Sequence, residues 1–222
     1  VLTESRNGWG ALVLVVPLVL GPPSWPWLIP VMVVALLPVL LSVLPGVPLS
    51  LQDPARTLVP ENLWARLSDS QYGGERVLAS TRISQWNVAL QLIGERPWLG
   101  WGAAAFSVIY PLRTGQWHGH AHNLPLELGI SHGLPVAVLL VGFVLALLLV
   151  SLRLGLSGLF DRAWWTALFV LMVLHGTDLP FFDSRLNIAG WILLAGLRAS
   201  LSFEPLRSEV SEQLRPEPAP GA

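Results

Sequence analysis

The chain has 222 residues, of which 53% are hydrophobic and 12% are charged, with a net charge of -1. Soluble domains usually carry about 25% charged residues, so the composition favours an integral membrane protein, and without clustered basic residues it gives no electrostatic case for nucleic-acid binding. There is no cysteine, which excludes disulfides and thiol chemistry. Every basic residue is an arginine, a permanently charged and forked donor suited to carboxylate or phosphate.

Long segments that contain no Asp, Glu, Arg or Lys include residues 7–52, 163–177 and 186–197. Moving an ionised side chain to the centre of a bilayer costs roughly 2.5–3.5 kcal/mol. This cost predicts that membrane-spanning segments are apolar and free of charge. The predicted fold is all-α, a polytopic transmembrane helix bundle. Residues 1–48 are predicted to form a transmembrane hairpin with spans at 8–20 and 28–44.

Residues 49–123 form a long polar segment in which arginines, carboxylates and tryptophans alternate. A flexible linker would not carry so many large aromatic residues. We therefore predict a folded extramembrane loop that contains short helices and carries the chemistry of the protein. An amphipathic helix is predicted over 82–93, ended by Pro97, and Arg56, Arg66 and Arg76 are expected to form a solvated face.

Residues 124–201 are predicted to form three transmembrane helices, at 134–150, 163–174 and 186–201, after an approach segment at 123–133. Residues 202–222 are polar and rich in proline, which predicts a disordered cytoplasmic tail. Arginines in short loops lie at the cytoplasmic side of a membrane. Arg153, Arg162 and Arg198 therefore place the long loop of this multi-pass protein outside, which in a bacterium is the periplasmic side of the inner membrane. Because the chain begins at Val1 without Met, we interpret it as the C-terminal part of a longer protein.

The densest polar cluster is His118, His120, His122 and Asn123, where the long loop meets the next apolar segment. Imidazole can take and give a proton near neutral pH, so a histidine here can activate a hydroxyl. Histidines at alternating positions of an extended segment also share one face and suit a metal ion. A third alternative is a solvated loop without function. The spacing alone leaves these three alternatives open.

Several motifs together resemble the bacterial O-antigen ligase and polymerase superfamily. The resemblance covers residues 2–201 and corresponds to the C-terminal half of a full-length member. The motifs are Thr3-Glu4-Ser5-Arg6, Arg82-x-x-x-Trp86, Glu95-Arg96-Pro97-Trp98-Leu99-Gly100-Trp101-Gly102, Phe106, His120-Ala121-His122-Asn123 and Glu127-Leu128-Gly129. The chain departs from the usual pattern at Arg96 and in the additional His118.

The resemblance implies transfer of a glycan from an undecaprenyl-diphosphate carrier to an acceptor hydroxyl at the periplasmic face. The acceptor would be lipid A core, a growing polysaccharide or a protein hydroxyl. It implies that His122 is the base, with His120 and Asn123 shaping its surroundings, and that Arg6 and Arg82 bind the diphosphate. No metal and no cofactor are expected. Glu127 is either a substrate-binding residue or the cap of a helix N-terminus.

Two rival functions come from other classes. One is a transporter, which needs ionisable or broken-helix sites near the bilayer midplane, whereas the charges here gather outside the spans. The other is a zinc-dependent hydrolase that uses His118, His120 and His122.

Further residues near the ends of the predicted spans have simpler interpretations. Asp178 and Asp183 are expected to pair locally with Arg185 at a helix boundary, the alternative being that they line the site. His132 and His175 are interpreted as polar interfacial residues. Trp25, Trp27, Trp164 and Trp165 are expected to anchor the protein at the membrane surface, and Trp86, Trp98, Trp101 and Trp117 either anchor it or stack on sugar rings.

Overall fold

All regular secondary structure in the described part of the chain is helical. A computed structural model describes residues 6–68, 81–154, 156 and 158–213. The helices are α1 (Arg6–Leu20), α2 (Trp25–Val43), α3 (Leu49–Leu58), α4 (Glu61–Leu67), α5 (Arg82–Glu95), α6 (Ala105–Thr114), α7 (Leu124–His132), α8 (Leu134–Leu154), α9 (Leu159–Thr177) and α10 (Ser184–Gln213). Short 3-10 turns lie at Pro22–Ser24 and Pro180–Phe182.

The helices begin and end at residues whose chemistry explains the boundary. Gly21 has a φ of 78° and stands before two prolines, which separates α1 from α2. Thr81 accepts a hydrogen bond from the Ser84 amide and caps α5. Gly133, with a φ of 85°, separates α7 from α8, and a Cβ at this position would overlap the carbonyl of Trp98. This junction therefore requires glycine.

Each of the five predicted spans coincides with a helix, and the predicted amphipathic helix at 82–93 is confirmed as α5. Within the described part of the chain, two segments are long and apolar enough to cross a membrane, Pro22–Val43 and Leu134–Arg153, whereas the apolar part of α1, Gly10–Leu20, is shorter. Helix α10 continues to Gln213, past the predicted start of the polar tail at 202. The part of that tail at 214–222 lies outside the described residues.

Helices α8, α9 and α10 pack around a shared apolar cluster. Its buried members are Val144, Leu147, Leu148, Trp165, Leu168 and Leu197. The indole N–H of Trp165 donates to the Leu148 carbonyl at 3.0 Å, and this side chain is only 8% exposed. The predicted membrane-surface anchor is therefore wrong for Trp165, because burial in the helix core keeps the indole from the lipid. Trp25 and Trp27 are exposed, as an anchor requires.

Helix α1 runs antiparallel to α9. At the start of α9, Arg162 donates through Nε to the carbonyl of Val19, near the end of α1, at 2.9 Å. At the other end, Gly10 of α1 lines a crevice together with Thr177, the last residue of α9. Arg6, the first residue of α1, therefore lies at the end of the bundle where α9 finishes.

The second half of the long polar segment, with α5 and α6, packs together with α7 around a core of its own. Its buried members are Ala89, Leu92, Ile93, Phe106, Tyr110, Ala121 and Ile130. The loop after α5 is tied to the junction of α7 and α8, since the Leu134 amide donates to the Pro97 carbonyl and the Trp101 amide to the Ile130 carbonyl, both at 2.7 Å. This core rests directly on the start of α8.

The predicted solvated face of arginines is wrong for Arg56. Its guanidinium lies 4.5 Å from the ring centroid of Trp64, and its Nε donates to the carbonyl of Ser42 at the end of α2. Arg56 therefore ties α3 to α2 and α4. The side chain of Arg66 and all of Arg76 lie outside the described residues.

Candidate functional site

The candidate site is the loop at residues 118–123, between α6 and α7, together with the end of α9. The loop presents three histidines, and the residue after α9 is Asp178. Nδ1 of His122 lies 3.0 Å from Oδ1 of Asp178. The two residues are 56 positions apart, so the packing of α7 against α9 is what brings them together.

The hydrogen bond to Asp178 decides which nitrogen of His122 can act as a base. The hydrogen bond from His122, with a further one from the Leu179 amide, holds the pKa of Asp178 down to about 2. Near neutral pH this carboxylate is ionised and only accepts hydrogen bonds, so Nδ1 of a neutral His122 carries the proton and donates it. The lone pair then lies on Nε2, which is the arrangement a general base needs.

Arg82, the first residue of α5, lies on the other side of Asp178. Its guanidinium nitrogen is 3.9 Å from Oδ2 of Asp178, and both side chains are about two-fifths exposed. A contact of this length is an ion pair rather than a hydrogen bond. The guanidinium therefore stands beside His122 and is open to solvent, where an anionic group can reach it.

His120 and His118 lie on either side of the His122 ring. The centroids of the His120 and His122 rings are 4.2 Å apart, and those of His118 and His122 are 6.5 Å apart. Nδ1 of His120 accepts a hydrogen bond from the His122 amide at 3.3 Å. Partial burial, with a smaller contribution from the charge of His122, lowers the pKa of both flanking histidines. Both therefore stay neutral at neutral pH.

A metal ion would need three ligands that converge. Among the residues that the structure describes, no group of three or more His, Cys, Asp and Glu side chains is arranged to hold one. His118 instead packs edge-on against Tyr110, and His120 lies near Phe182. The zinc-hydrolase alternative therefore has no ligand set in this loop.

Asn123 and Glu127 both hold the loop to the rest of the protein. Oδ1 of Asn123 accepts from the Leu126 amide and caps α7, while Nδ2 donates to the carbonyl of Gly176 in α9 at 2.8 Å. Glu127 is only 5% exposed, and its Oε2 accepts a hydrogen bond from the Ala121 amide at 3.0 Å. Burial raises the pKa of Glu127. Its contact is thus with the histidine loop, not with the N-terminus of its own helix.

The structure brings the side chains of five predicted site residues together: His120, His122, Arg82, Asn123 and Glu127. The backbone of Arg6 lies at the same end of the helix bundle. The side chain of Arg6 lies outside the described part, as do Thr3, Glu4 and Ser5. The Arg6 contact with a diphosphate therefore stays a prediction.

The four tryptophans that were expected either to anchor the protein or to stack on sugar rings divide into two pairs. Trp86 donates to the Ala121 carbonyl and Trp101 to the Leu92 carbonyl, so both indoles have structural partners. Trp98 and Trp117 are 76% and 72% exposed. Only this second pair presents a free apolar face to a sugar ring or to lipid.

Asp178 lines the site, which was the alternative to the expected local ion pair. The expected local pair with Arg185 is wrong, because the carboxylate of Asp178 contacts His122 and Arg82 instead. Asp183 accepts hydrogen bonds from the amides of Arg185 and Leu186 and so caps α10. The only signal in the sequence was that the loop holding Asp178 lies on the same predicted side of the membrane as the histidines.

An apolar groove begins beside the histidine loop and runs between α7, α8, α9 and α10. Its volume is about 550 Å³, open mouth included. The lining includes Leu124 and Leu128 of α7, Leu171 and His175 of α9, and Trp191 of α10. Leu124 directly follows Asn123, so one end of the groove adjoins the site. His175 is buried with Nδ1 2.7 Å from the Leu171 carbonyl, an intrahelical contact.

Comparison with known proteins gives one match. The family model described as O-antigen ligase matches residues 1–141. The matched range includes Arg82, the histidine loop and Glu127, and it ends before Asp178. No curated protein and no solved structure matches the chain.

Proposed function

Since the chain belongs to the O-antigen ligase family, whose members are membrane-embedded enzymes of the O-antigen ligase and polymerase type, we propose that it is a membrane glycosyltransferase of the ligase type. It transfers a glycan from an undecaprenyl-diphosphate carrier to lipid A core or a similar acceptor hydroxyl. The reaction takes place at the periplasmic face of the inner membrane, and it needs no metal. The observation that carries this proposal is the His122–Asp178 hydrogen bond beside Arg82.

The chemistry follows from these contacts. Nε2 of His122 takes the proton of the acceptor hydroxyl as its oxygen attacks the anomeric carbon. The bond between that carbon and the phosphate oxygen breaks, and the diphosphate leaves with the electron pair. The carboxylate of Asp178 stabilises the imidazolium that forms, and a single displacement of this kind inverts the anomeric configuration.

The leaving group carries two phosphates, whose developing charge must be neutralised. The guanidinium of Arg82 is exposed beside the base, and Arg6 begins α1 at the same end of the bundle. Guanidinium groups bind phosphate oxygens bidentately, so these arginines hold the diphosphate. The apolar groove beside Asn123 has the chemistry for a polyprenyl chain, because its walls are almost entirely hydrocarbon.

His120, Asn123 and Glu127 shape the surroundings of the base. Asn123 and Glu127 do so through the hydrogen bonds to α9 and to the loop backbone, and His120 accepts from the His122 amide.

The test is glycan transfer by the full-length protein in membranes, from a lipid-diphosphate-linked donor. His122→Ala removes the base, for which we expect a loss of about 10²–10⁴-fold in rate, and Arg82→Ala removes a charge that stabilises the leaving group, for which we expect about 10²-fold or more. His132→Ala and Arg113→Ala are matched controls, since both residues lie outside the site. Each protein is assayed with and without EDTA.

The proposal is supported if transfer survives chelation and is lost in His122→Ala and Arg82→Ala but not in the two control variants. Full activity in a folded and inserted His122→Ala protein contradicts it. Loss of activity on chelation would favour the zinc-dependent alternative. Identifying the molecule that receives the glycan distinguishes a ligase from a polysaccharide polymerase or a protein O-oligosaccharyltransferase of the same superfamily.

A further inference from the structure

The backbone of the histidine loop is held from both sides at one residue, Ala121. Its N–H donates to Oε2 of Glu127 at 3.0 Å, and its carbonyl accepts from Nε1 of Trp86 at 3.0 Å. Ala121 has no exposed surface, and Glu127 is 5% exposed. The two peptide groups on either side of Ala121, which lead to His120 and to His122, therefore each have one fixed partner.

The residue that follows is under backbone strain. His122 has a φ of 51°, in the left-handed region that favours glycine. A residue that is not glycine persists in this region only when its surroundings over-determine it. This conformation places Nδ1 of His122 against Asp178 and its amide against Nδ1 of His120. With a free backbone, rotation of φ to a negative value would move the imidazole away from Asp178.

We propose that Glu127 of α7 and Trp86 of α5 form a clamp on Ala121 that positions the imidazole of His122, and that neither residue contacts substrate. This inference deepens the proposed function, on which its kinetic consequences rest. Glu127 acts as a hydrogen-bond acceptor, a role that a neutral amide oxygen can fill. Trp86 acts as an indole donor, a role that phenylalanine cannot fill.

The surroundings of the two residues support this assignment. Ile93 of α5 packs on Gly129 of α7, where a Cβ would lie 2.8 Å from Cδ1 of Ile93. Helices α5 and α7 thus approach closely and fix the distance between Trp86 and Glu127. Burial raises the pKa of Glu127, with the Ala121 amide opposing this effect. A charge-dependent contact with a diphosphate would be poorly served by such a buried carboxyl group.

The test compares Glu127→Ala, Glu127→Gln and Trp86→Phe in the full-length protein. Trp101→Phe is the matched control, because Trp101 is also half-buried and donates to a backbone carbonyl, that of Leu92. Hydrogen–deuterium exchange of the peptide that covers 118–123 measures the protection of the loop's backbone amides independently of enzymatic activity. We expect exchange about fivefold faster in Glu127→Ala and Trp86→Phe, the factor that one net hydrogen bond supplies, and unchanged exchange in Glu127→Gln and in the control.

Transfer kinetics then test the positioning role. A misplaced base lowers kcat by about 10- to 100-fold and leaves the KM for the lipid-linked donor nearly unchanged, and Glu127→Gln restores most of the lost kcat. If Glu127→Ala does not fold, Trp86→Phe, which keeps the ring and removes the donor, carries the test.

Unchanged exchange in both Glu127→Ala and Trp86→Phe overturns the clamp, as does a raised KM without a change in kcat. Faster exchange with an unaltered kcat overturns the positioning role. If the wild-type protein transfers no glycan while the exchange pattern is as expected, the proposed function fails and the clamp stands.

Discussion

Replacing Asp178 by asparagine removes the negative charge beside His122 with almost no change in shape. The imidazolium formed during proton transfer then loses a carboxylate at 3.0 Å. Two unit charges about 4 Å apart interact by about 1 kcal/mol in water and about 4 kcal/mol at an effective dielectric constant of 20. Because the Asp178 side chain is 41% exposed, we take an intermediate value of about 2–3 kcal/mol, which corresponds to a fall in kcat of about 30- to 150-fold.

The amide adds a second effect, because its N–H₂ group can donate to Nδ1 and stabilise the tautomer with the proton on Nε2. That tautomer has no lone pair for the acceptor hydroxyl. The assay is initial-rate glycan transfer in membranes, and Asp183→Asn, the same substitution at the exposed cap of α10, is the matched control. A kcat for Asp178→Asn within twofold of the wild-type value would refute the assignment of His122 and Asp178 as a catalytic pair.

Other variants test the contacts that hold the site together and its dependence on pH. Asn123→Ala removes both the cap of α7 and the hydrogen bond to Gly176, so we expect the free energy of unfolding to fall by about 2 kcal/mol, with a lower midpoint of thermal unfolding in detergent. Asn123→Ser keeps a cap and is expected to lose about half as much stability. Equal midpoints for the two variants would contradict this prediction. Gly133→Ala meets a positive φ and the Trp98 carbonyl and is expected to destabilise by more than about 1 kcal/mol, while Gly142→Ala, with open space around it, is expected to stabilise by about 0.5–1 kcal/mol; a Gly133→Ala protein as stable as wild type would be inconsistent with the tight junction. Because the folded-state pKa of Asp178 is lowered to about 2 from 3.8, its contribution to stability is present above pH 3.8 and is lost as the pH falls towards 2, and unfolding midpoints of Asp178→Asn should therefore depend less on pH in that range.

The helix positions could be predicted from the sequence because each boundary has a local cause. Charge-free apolar segments and the residues that interrupt them predicted α1, α2, α8, α9 and α10. Among the described residues, the two segments long and apolar enough to cross a membrane, Pro22–Val43 and Leu134–Arg153, also follow from length and composition alone. The continuation of α10 to Gln213 was missed because the composition of its last turns is that of a disordered segment.

The candidate site could be predicted only as far as it is local. His120, His122 and Asn123 are adjacent in the sequence, and the family resemblance singled them out. Asp178 was missed because its role depends on the packing of α7 against α9, and short-range patterns favoured a local pair with Arg185. The acceptor contact of Glu127 with the Ala121 amide could not be predicted, because it depends on how the loop folds back on α7.

In the proposed mechanism, Asp178 lies between the base, His122, and the group that binds the diphosphate, Arg82. Asp178 follows the C-terminal end of α9, where the helix dipole is negative, yet hydrogen bonds from His122 and Leu179 keep its carboxylate ionised. The helix end and the carboxylate together favour a positive charge on His122 once the acceptor is deprotonated. Arg82 lies at 3.9 Å from the same carboxylate, close enough to stay near the site and too far to commit its N–H donors there. In the proposed mechanism, a diphosphate therefore binds Arg82 without displacing Asp178 from His122.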